Sequence, residues 1–427
     1  MAHRVLIATL LLAAPVLPVS PNIILILVDD LGYETLGSYG GASYDTPSLD
    51  RLAESGLRFT HAYAMPLCSP SRVKLMTGRY NARNYTKWGV LPKDELTFAN
   101  ILQDAGYRTH VAGKWQLWGH DLVWNRGGGC CLHQGQTPGD AGFDDYLVWY
   151  LGDKGSRYAD PSLSSRNDDG KTRQGRYGPD LLNDFVLEAM QSDQPFFIYY
   201  SMVLVHAPFV PTPDSDGWRG DRHAEDKAHF AAMVAYVDKM VGKTLAKLDQ
   251  LGIRDETLVL LTGDNGTPGA ITSVMQDGTK IRGGKGKTID HGSHVPFIAS
   301  WPGVIEPGVS NALVDFTDVL PTLADAADAK LPSDRIFDGH SLLPVFRGEA
   351  EHEREWIFTD YRAQFPNITE RRYVHNRRYK LYDDGRFFDW ENDILEQNPL
   401  ADAEITAEAA AIRESFRDAL NGNYIRK

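Results

Sequence analysis

Asn22-Ile23-Ile24-Leu25-Ile26-Leu27-Val28-Asp29-Asp30 is an almost unbroken apolar run that stops on two adjacent carboxylates. A strand with one wet face alternates apolar and polar residues. This run has no polar position to spare, so it reads as a strand buried on both faces, as in a parallel sheet. Other stretches repeat the pattern. Tyr107 to Ala112 runs into Gly113-Lys114-Trp115, and Pro195 to Ser201 into Val205-His206-Ala207-Pro208. Thr257 to Leu261 ends in Gly263-Asp264-Asn265-Gly266, and Val295 to Ser300 in Trp301-Pro302-Gly303. Helical spacings lie between them: Thr46 to Gly56, Phe98 to Ala105, Asp180 to Met190, and Phe230 to Leu248 ahead of Gly252. Phe316 to Ala327 is a further helix, with a kink or break expected at Pro321. Residues 120–175, rich in Gly, Asp and Arg, read as long loops that shape a cleft. Strands alternating with helices give an α/β fold with a large, mostly parallel sheet flanked by helices. In such sheets the ligand site lies beyond the carboxyl ends of the strands. Asp29, Asp30, Lys114, His206, Asp264 and Asn265 all fall at or just past such ends.

After residue 335 the pattern changes. Short strand candidates at Trp356–Thr359, Tyr373–His375, Tyr379–Tyr382 and Arg386–Phe388 are separated by turns such as Asp384-Gly385. An amphipathic helix follows, with Ile405, Ala409, Ile412, Phe416 and Leu420 on one face. The expected division is a catalytic α/β domain over 21–335 and a smaller C-terminal domain over 336–427, an antiparallel sheet plus a helix. Residues 1–20 read as a signal peptide: His3 and Arg4 precede an apolar run, Val5 to Leu17, too short for a comfortable membrane span. The expectation is therefore a secreted or periplasmic protein with no membrane span in the mature chain. The formal charge of −13 argues against general nucleic-acid binding. Three cysteines exclude a disulfide framework, and Cys130 and Cys131 are adjacent. Asn84-Tyr85-Thr86 and Asn367-Ile368-Thr369 match the glycosylation sequon.

Cys68-Ser69-Pro70-Ser71-Arg72 carries the chemistry. Pro70 suits the first turn of a helix, Ser69 is a good N-cap and Gly78 a natural stop. Cys68 then lies just ahead of a helix N-terminus, which favours an anion, and Arg72 adds a planar guanidinium about one turn along. Asp29, Asp30, Asp264 and Asn265 form an all-oxygen set suited to a hard cation such as Ca2+, or less well Mg2+. Each pair alone is also what a turn or helix cap looks like. Both together, at the ends of two buried strands, point to a cation, because three crowded carboxylates otherwise repel.

The motif Cys-x-Pro-x-Arg resembles the signature of the formylglycine-dependent sulfatases. The resemblance extends to the strand ending in Asp29-Asp30, to Thr77-Gly78-Arg79, Gly113-Lys114-Trp115, His206-Ala207-Pro208, Gly263-Asp264-Asn265-Gly266 and Gly283-Gly284-Lys285-Gly286, in the family's order. Asp338-Gly339-His340-Ser341-Leu342 and Tyr379-Lys380-Leu381-Tyr382 also resemble it, so about residues 21–400 are covered. The resemblance implies an alkaline-phosphatase-like fold and a sulfuric ester hydrolase. It implies that a maturation enzyme oxidises Cys68 to formylglycine (3-oxoalanine), whose hydrate attacks sulfur. It implies Ca2+ on Asp29, Asp30, Asp264, Asn265 and the modified Cys68. Arg72 would hold the hydrate, while Lys114, His206 and Lys285 would contact the sulfate. His206 or Lys285 would help protonate the leaving alcohol.

Two departures stand out. Gln116 occupies the position where the family usually has a histidine thought to collapse the sulfated intermediate, and an amide cannot accept that proton. His110, His120 or a water are the substitutes in view. Asp290-His291-Gly292-Ser293-His294 replaces a Glu-Gly-Gly-x-Arg pattern. The substrate expected is a sulfated carbohydrate. Trp118, Trp124, Trp149 and Tyr150 are candidates for stacking on sugar rings. A basic patch of Arg371, Arg372, Arg377, Arg378 and Lys380 could meet a sulfated glycan, or be a solvated strand face. A phosphonate or phosphodiester hydrolase on the same scaffold and a glycan-binding pseudoenzyme are the alternatives.

Overall fold

β1 (Asn22–Val28) lies near the middle of a nine-stranded sheet in a computed structural model that describes residues 20–119, 133–149, 151, 155–168, 170–352, 354–365 and 368–422. The other strands, in chain order, are β2 (Leu57–Tyr63), β3 (Arg108–Lys114), β4 (Asp145–Trp149), β5 (Ser164–Ser165), β6 (Phe196–Ser201) and β7 (Thr257–Gly263). A small hairpin, β8 (Thr272–Val274) and β9 (Lys280–Arg282), precedes β10 (His294–Ser300) and β11 (Gly308–Asp315). The sheet order is β11-β2-β10-β7-β1-β6-β3-β4-β5. The central strands β7, β1, β6, β3 and β4 are parallel, whereas β10 is antiparallel to both β7 and β2.

The continuous apolar character of β1 follows from burial on two faces. Ile23, Leu25 and Leu27 pack on one side against Val73, Leu75 and Met76 and against the helices Phe98–Asp104 and Val319–Ala326. Ile24, Ile26 and Val28 pack on the other, against Leu49, Leu182, Val234, Val237 and Val241. Each large apolar side chain so buried contributes about 1.5–3 kcal/mol relative to exposure. The helix Phe230–Leu251 ends where its spacing predicts, with Gly252 in the left-handed region at φ 70°.

The smaller sheet is antiparallel, in the order β12 (Ile357–Tyr361), β13 (Arg371–His375), β14 (Tyr379–Tyr382), β15 (Phe387–Asp389). The helix Ala407–Asn421 lays Ala409, Phe416 and Ala419 on Phe358, Val374, Leu381 and Phe387. The opposite face packs on the large sheet through Tyr63 and Leu313. Among the described residues, no helix is long and apolar enough to cross a membrane.

Several sequence expectations need correction. The helix Cys68–Thr77 starts at Cys68, not after Ser69. Ser69 does not cap it: its hydroxyl accepts from Gly89 N at 2.7 Å, while Ser71 Oγ accepts from Met65 N at 3.0 Å. The break near Pro321 comes earlier, where a 3-10 turn (Phe316–Asp318) hands over to the helix beginning at Val319. Pro321 then sits in a first turn, where its missing N–H costs nothing. The stretch read as loop over 120–175 contains β4 and β5. β2 and β11 carry polar residues such as Arg58, Thr60, Ser310 and Asn311, so an apolar-run criterion passes over them. The basic patch is dispersed. Lys380 is fully buried, hydrogen-bonded to Glu396 at 2.7 Å and 4.0 Å from the Tyr373 ring centre; Arg378 pairs with Asp389, and Arg372 donates to Leu420 O. Asn84 is buried and donates to Thr77 Oγ1, which makes it a structural amide rather than an accessible acceptor for a glycan. The signal segment 1–19 and His120, Trp124, Cys130, Cys131, Tyr150 and Asn367 lie outside the described residues.

Candidate active site

Strand register brings the sequence-distant polar residues together. Leu27 pairs with both Ser201 and Thr262, Val28 with Gly263, and Gly113 with Ser201. The residues that follow β1, β3, β6 and β7 therefore emerge at one edge of the sheet. Gly113, at φ 113°, lets β3 pass β6: a Cβ there would lie 1.8 Å from Ser201 O. Gly266 makes similar room, since a Cβ would meet His291 O at 1.9 Å.

Cys68 occupies the first turn of its helix, on that same edge, where the helix dipole favours negative charge. Burial pushes its thiol up, with Lys114 and Lys285 opposing, so the thiol is protonated at neutral pH. Its Sγ lies 3.9 Å from Gln116 Oε1. Arg72, one turn along, is fixed by four hydrogen bonds to three partners. Nε and Nη2 donate to Asp264 Oδ2 at 3.0 and 2.8 Å, and Nη1 donates to Lys114 O and to Ser201 Oγ.

Three carboxylates and three cations alternate behind Cys68. Lys114 Nζ reaches both oxygens of Asp29, at 2.9 and 2.8 Å. Lys285 Nζ lies 2.6 Å from Asp30 Oδ2, and Arg72 is 3.7 Å from Asp29 Oδ1. Burial works to raise Asp29 and Asp30, but the ammonium groups, Lys114 chiefly for the first and Lys285 for the second, outweigh it and hold both below the usual carboxylate range. Asp264 goes the other way: burial and the neighbouring Asp29 push it up to about 7. Burial works against the Lys285 ammonium, yet Asp30 holds it above its ordinary value. His206 Nδ1 is 2.6 Å from Ala207 O and Nε2 is 3.9 Å from Asp30 Oδ2. Burial and Lys285 bring His206 down to about 3, so its imidazole is neutral.

The donor set fits a hard cation. Asp29, Cys68 and Asp264 each offer a ligand atom within 4.8 Å of the others, as do Asp29, Asp30 and His206. Asn265 Nδ2 donates to Asp30 Oδ1 and Gly266 O, both at 2.9 Å, which turns Oδ1 the other way. That oxygen is buried with no hydrogen-bond partner. A buried acceptor without a donor costs about 1–3 kcal/mol, a cost that ligation to a cation removes.

Not every residue in view joins the site. His110 sits four residues before Lys114 on β3, about 13 Å back along the strand, against Phe185. It cannot replace the missing base. His294 hydrogen-bonds Asp290 at 3.2 Å and donates to Thr60 O at 2.9 Å, so the departing Asp290–His294 segment is bonded within itself and to β2. Trp149 lies beneath the Arg157 guanidinium, 3.8 Å from its ring centre, and Trp118 stacks on His133. Sequence reasoning missed Ser201, which ends β6 and bonds Arg72, and Arg157, whose loop carries no motif.

Comparison with known proteins adds a second line. The family model described as "Sulfatase" matches residues 21–329, and that for the "N-sulphoglucosamine sulphohydrolase, C-terminal" region matches 285–421. Human (Homo sapiens) arylsulfatase A is 35% identical over 373 residues, covering 79% of this chain and 70% of that protein. N-acetylgalactosamine-6-sulfatase of Canis lupus familiaris is 33% identical over 360 residues, covering 78% and 67%. The crystal structure of Ps i-CgsB in complex with k-i-k-neocarrahexaose superimposes with a TM-score of 0.75 at 25% identity, covering 94% of this chain and 92% of that one.

Proposed function

We propose, for a chain that belongs to the sulfatase family and is therefore a hydrolase of sulfuric esters, that the substrate is a sulfated carbohydrate and that Cys68 provides the nucleophile after oxidation to formylglycine. The observation that carries this reading is the convergence on Cys68 of three carboxylates, three cations and an unpartnered buried Asn265 oxygen. A saccharide is favoured by what the relatives are named for: one acts on an N-acetylgalactosamine sulfate, and one neighbour holds a neocarrahexaose.

In this reading Asp29, Asp30, Asp264, Asn265 and the oxidised Cys68 hold Ca2+. The cation supplies charge neutralisation and Lewis acidity toward a sulfate oxygen. Formylglycine supplies a hydrated aldehyde oxygen in place of a thiol. The charge balance is informative. Asp29, Asp30 and Asp264 are matched by Arg72, Lys114 and Lys285, with Arg157 3.9 Å from Asp29 in addition, so a dication would leave the site positive, which suits an anionic ester.

The chain's own residues do the rest. Arg72, locked by Asp264 and Ser201, orients the residue at position 68. Lys114 and Lys285 bind sulfate oxygens and stabilise charge as it develops. His206 is neutral in the ligand-free site. An anion brought beside it favours the imidazolium, whose Nε2–H then donates to the departing oxygen while Nδ1 stays on Ala207 O. Export through residues 1–20 and the division near residue 335 belong to the same reading.

The test is peptide mass spectrometry across Cys68 on protein from a host with the maturation enzyme, followed by sulfate release from sulfated sugars. An aldehyde mass with sulfate release supports the reading. An unmodified thiol in a competent host sinks the proposed nucleophile.

A further inference from the structure

A fourth cationic side chain approaches the same site from a different wall. Arg157 lies on the loop after β4, and its Nη1 is 3.9 Å from Asp29 Oδ2. That distance is too long for a hydrogen bond, and Nη1 is buried with no hydrogen-bond partner. Both Asp29 oxygens are already taken by Lys114. The guanidinium carbon lies over the Trp149 ring, 3.8 Å from its centre, a cation–π contact that helps hold it in place.

The loop is held in register with the site. Tyr158 Oη donates to Val203 O at 2.9 Å and also bonds His206 O, so the residue after Arg157 is tied to the segment that carries His206. Gly178 makes room for the Arg157 carbonyl, since a Cβ there would lie 2.0 Å from it. Arg157 lines a cleft of about 420 Å³ together with Gln116, Trp149, Pro208, Arg222 and His223. Arg222 and His223 are engaged by Asp160, at 2.8 and 3.2 Å. Arg157 thus offers this cleft a buried guanidinium N–H that has no acceptor.

A guanidinium with a buried, unused Nη1–H is an expensive arrangement unless an anion completes it. We propose that Arg157 is a substrate-binding residue, its Nη1 donating to an oxygen of the sulfate group that is cleaved. This rests on the sulfatase reading above. It gives the cleft beside the uncharged Gln116 a fixed cation, and it sets the sulfate between Arg157 on one wall and Lys114 and Lys285 on the others.

The experiment compares wild type with Arg157→Ala, Arg157→Gln and Arg157→Lys, all matured and calcium-loaded. Two quantities are read: the equilibrium affinity for inorganic sulfate by calorimetry, and kcat/KM for 4-nitrophenyl sulfate. A charge-assisted hydrogen bond predicts about a 10–100-fold loss of both in the Ala and Gln variants, with partial recovery in Lys. Circular dichroism melts separate misfolding from weakened binding, and the Gln and Lys variants keep the side chain's bulk. Unchanged sulfate affinity with weakened calcium binding would make Arg157 a mere counter-charge for Asp29 and overturn the proposal. A loss confined to substrates bearing a second anionic group would also overturn it. Wild-type protein that binds sulfate but releases none from any ester instead undermines the sulfatase reading, since the binding comparison does not need turnover.

Discussion

The Cys68 thiol faces the side-chain carbonyl of Gln116 across 3.9 Å, so a direct partner of the proposed nucleophile is an amide that cannot titrate. Gln116 has a positive φ of 53° and lines the cleft it shares with Arg157. His110 lies on β3, the strand that Gln116 follows, but far from the reacting end.

Gln116→His restores a titratable group beside position 68. The expected outcome is a kcat increase of about tenfold or more and a new limb in the pH–rate profile near the ordinary histidine value. Steady-state kinetics between pH 5 and 9 checks this. An unchanged kcat and profile would mean that water or another residue already serves this step.

His206→Ala removes the one neutral imidazole whose Nε2 faces Asp30. A good leaving group such as 4-nitrophenolate departs without protonation, whereas a sugar alcohol does not. The expected loss in kcat/KM is about 10²–10⁴-fold for a sugar sulfate and under about tenfold for 4-nitrophenyl sulfate. Equal losses on both substrates would assign His206 to sulfate binding alone.

Asp264 couples metal binding to pH. Burial and Asp29 raise its carboxyl to about 7 in the metal-free site, above its unfolded value. A raised carboxyl contributes stability that is fully present below the unfolded pKa and is lost as pH rises through about 7. Metal-free protein should therefore lose thermal stability between pH 5 and 8, and added Ca2+ should restore it. Because the ligand must be ionised, calcium affinity should fall by up to about tenfold per pH unit below that value. Calorimetry in two buffers of different ionisation enthalpy reads the proton released on binding. Binding without proton release near pH 7 would contradict this assignment.

Arg354 is the buried partner of Asp318, with Nε at 3.0 Å, and it also reaches Tyr80 Oη at 3.3 Å. It joins the segment before β12 to the turn that opens the helix Val319–Ala326. Arg354→Ala leaves Asp318 buried without its main counter-charge, although His352 stays 3.3 Å away. The expected destabilisation is about 3–5 kcal/mol, read from urea unfolding. A cost below about 1 kcal/mol would show that water or His352 takes over.

How much was legible beforehand follows from residue type. The strands whose both faces are buried announce themselves, because every position must be apolar: β1, β6 and β7 do so. β2 and β11 sit at the sheet's edge side, keep polar residues, and escape that criterion. The helix Cys68–Thr77 is fully buried, so its own start is set by packing and by Ser71 bonding back to Met65, not by the capping choice that Ser69 suggests. Lys380 reads as a surface charge in sequence. An aromatic enclosure and Glu396 make it a core residue.

The sequence by itself determined the parallel sheet and the edge at which its polar residues gather, and through motif and resemblance it offered Asp29, Asp30, Cys68, Arg72, Lys114, His206, Asp264, Asn265 and Lys285 as candidates. Periodicity and local motifs record burial and backbone direction, and these are local properties. Only the tertiary structure decided which charges pair, that Asn265 leaves an oxygen without a donor, that His110 faces away from the site, and that Arg157 faces into it. Those are distances between residues far apart in the chain, fixed by strand register and by loops tied across the sheet edge, and no spacing in the sequence encodes them.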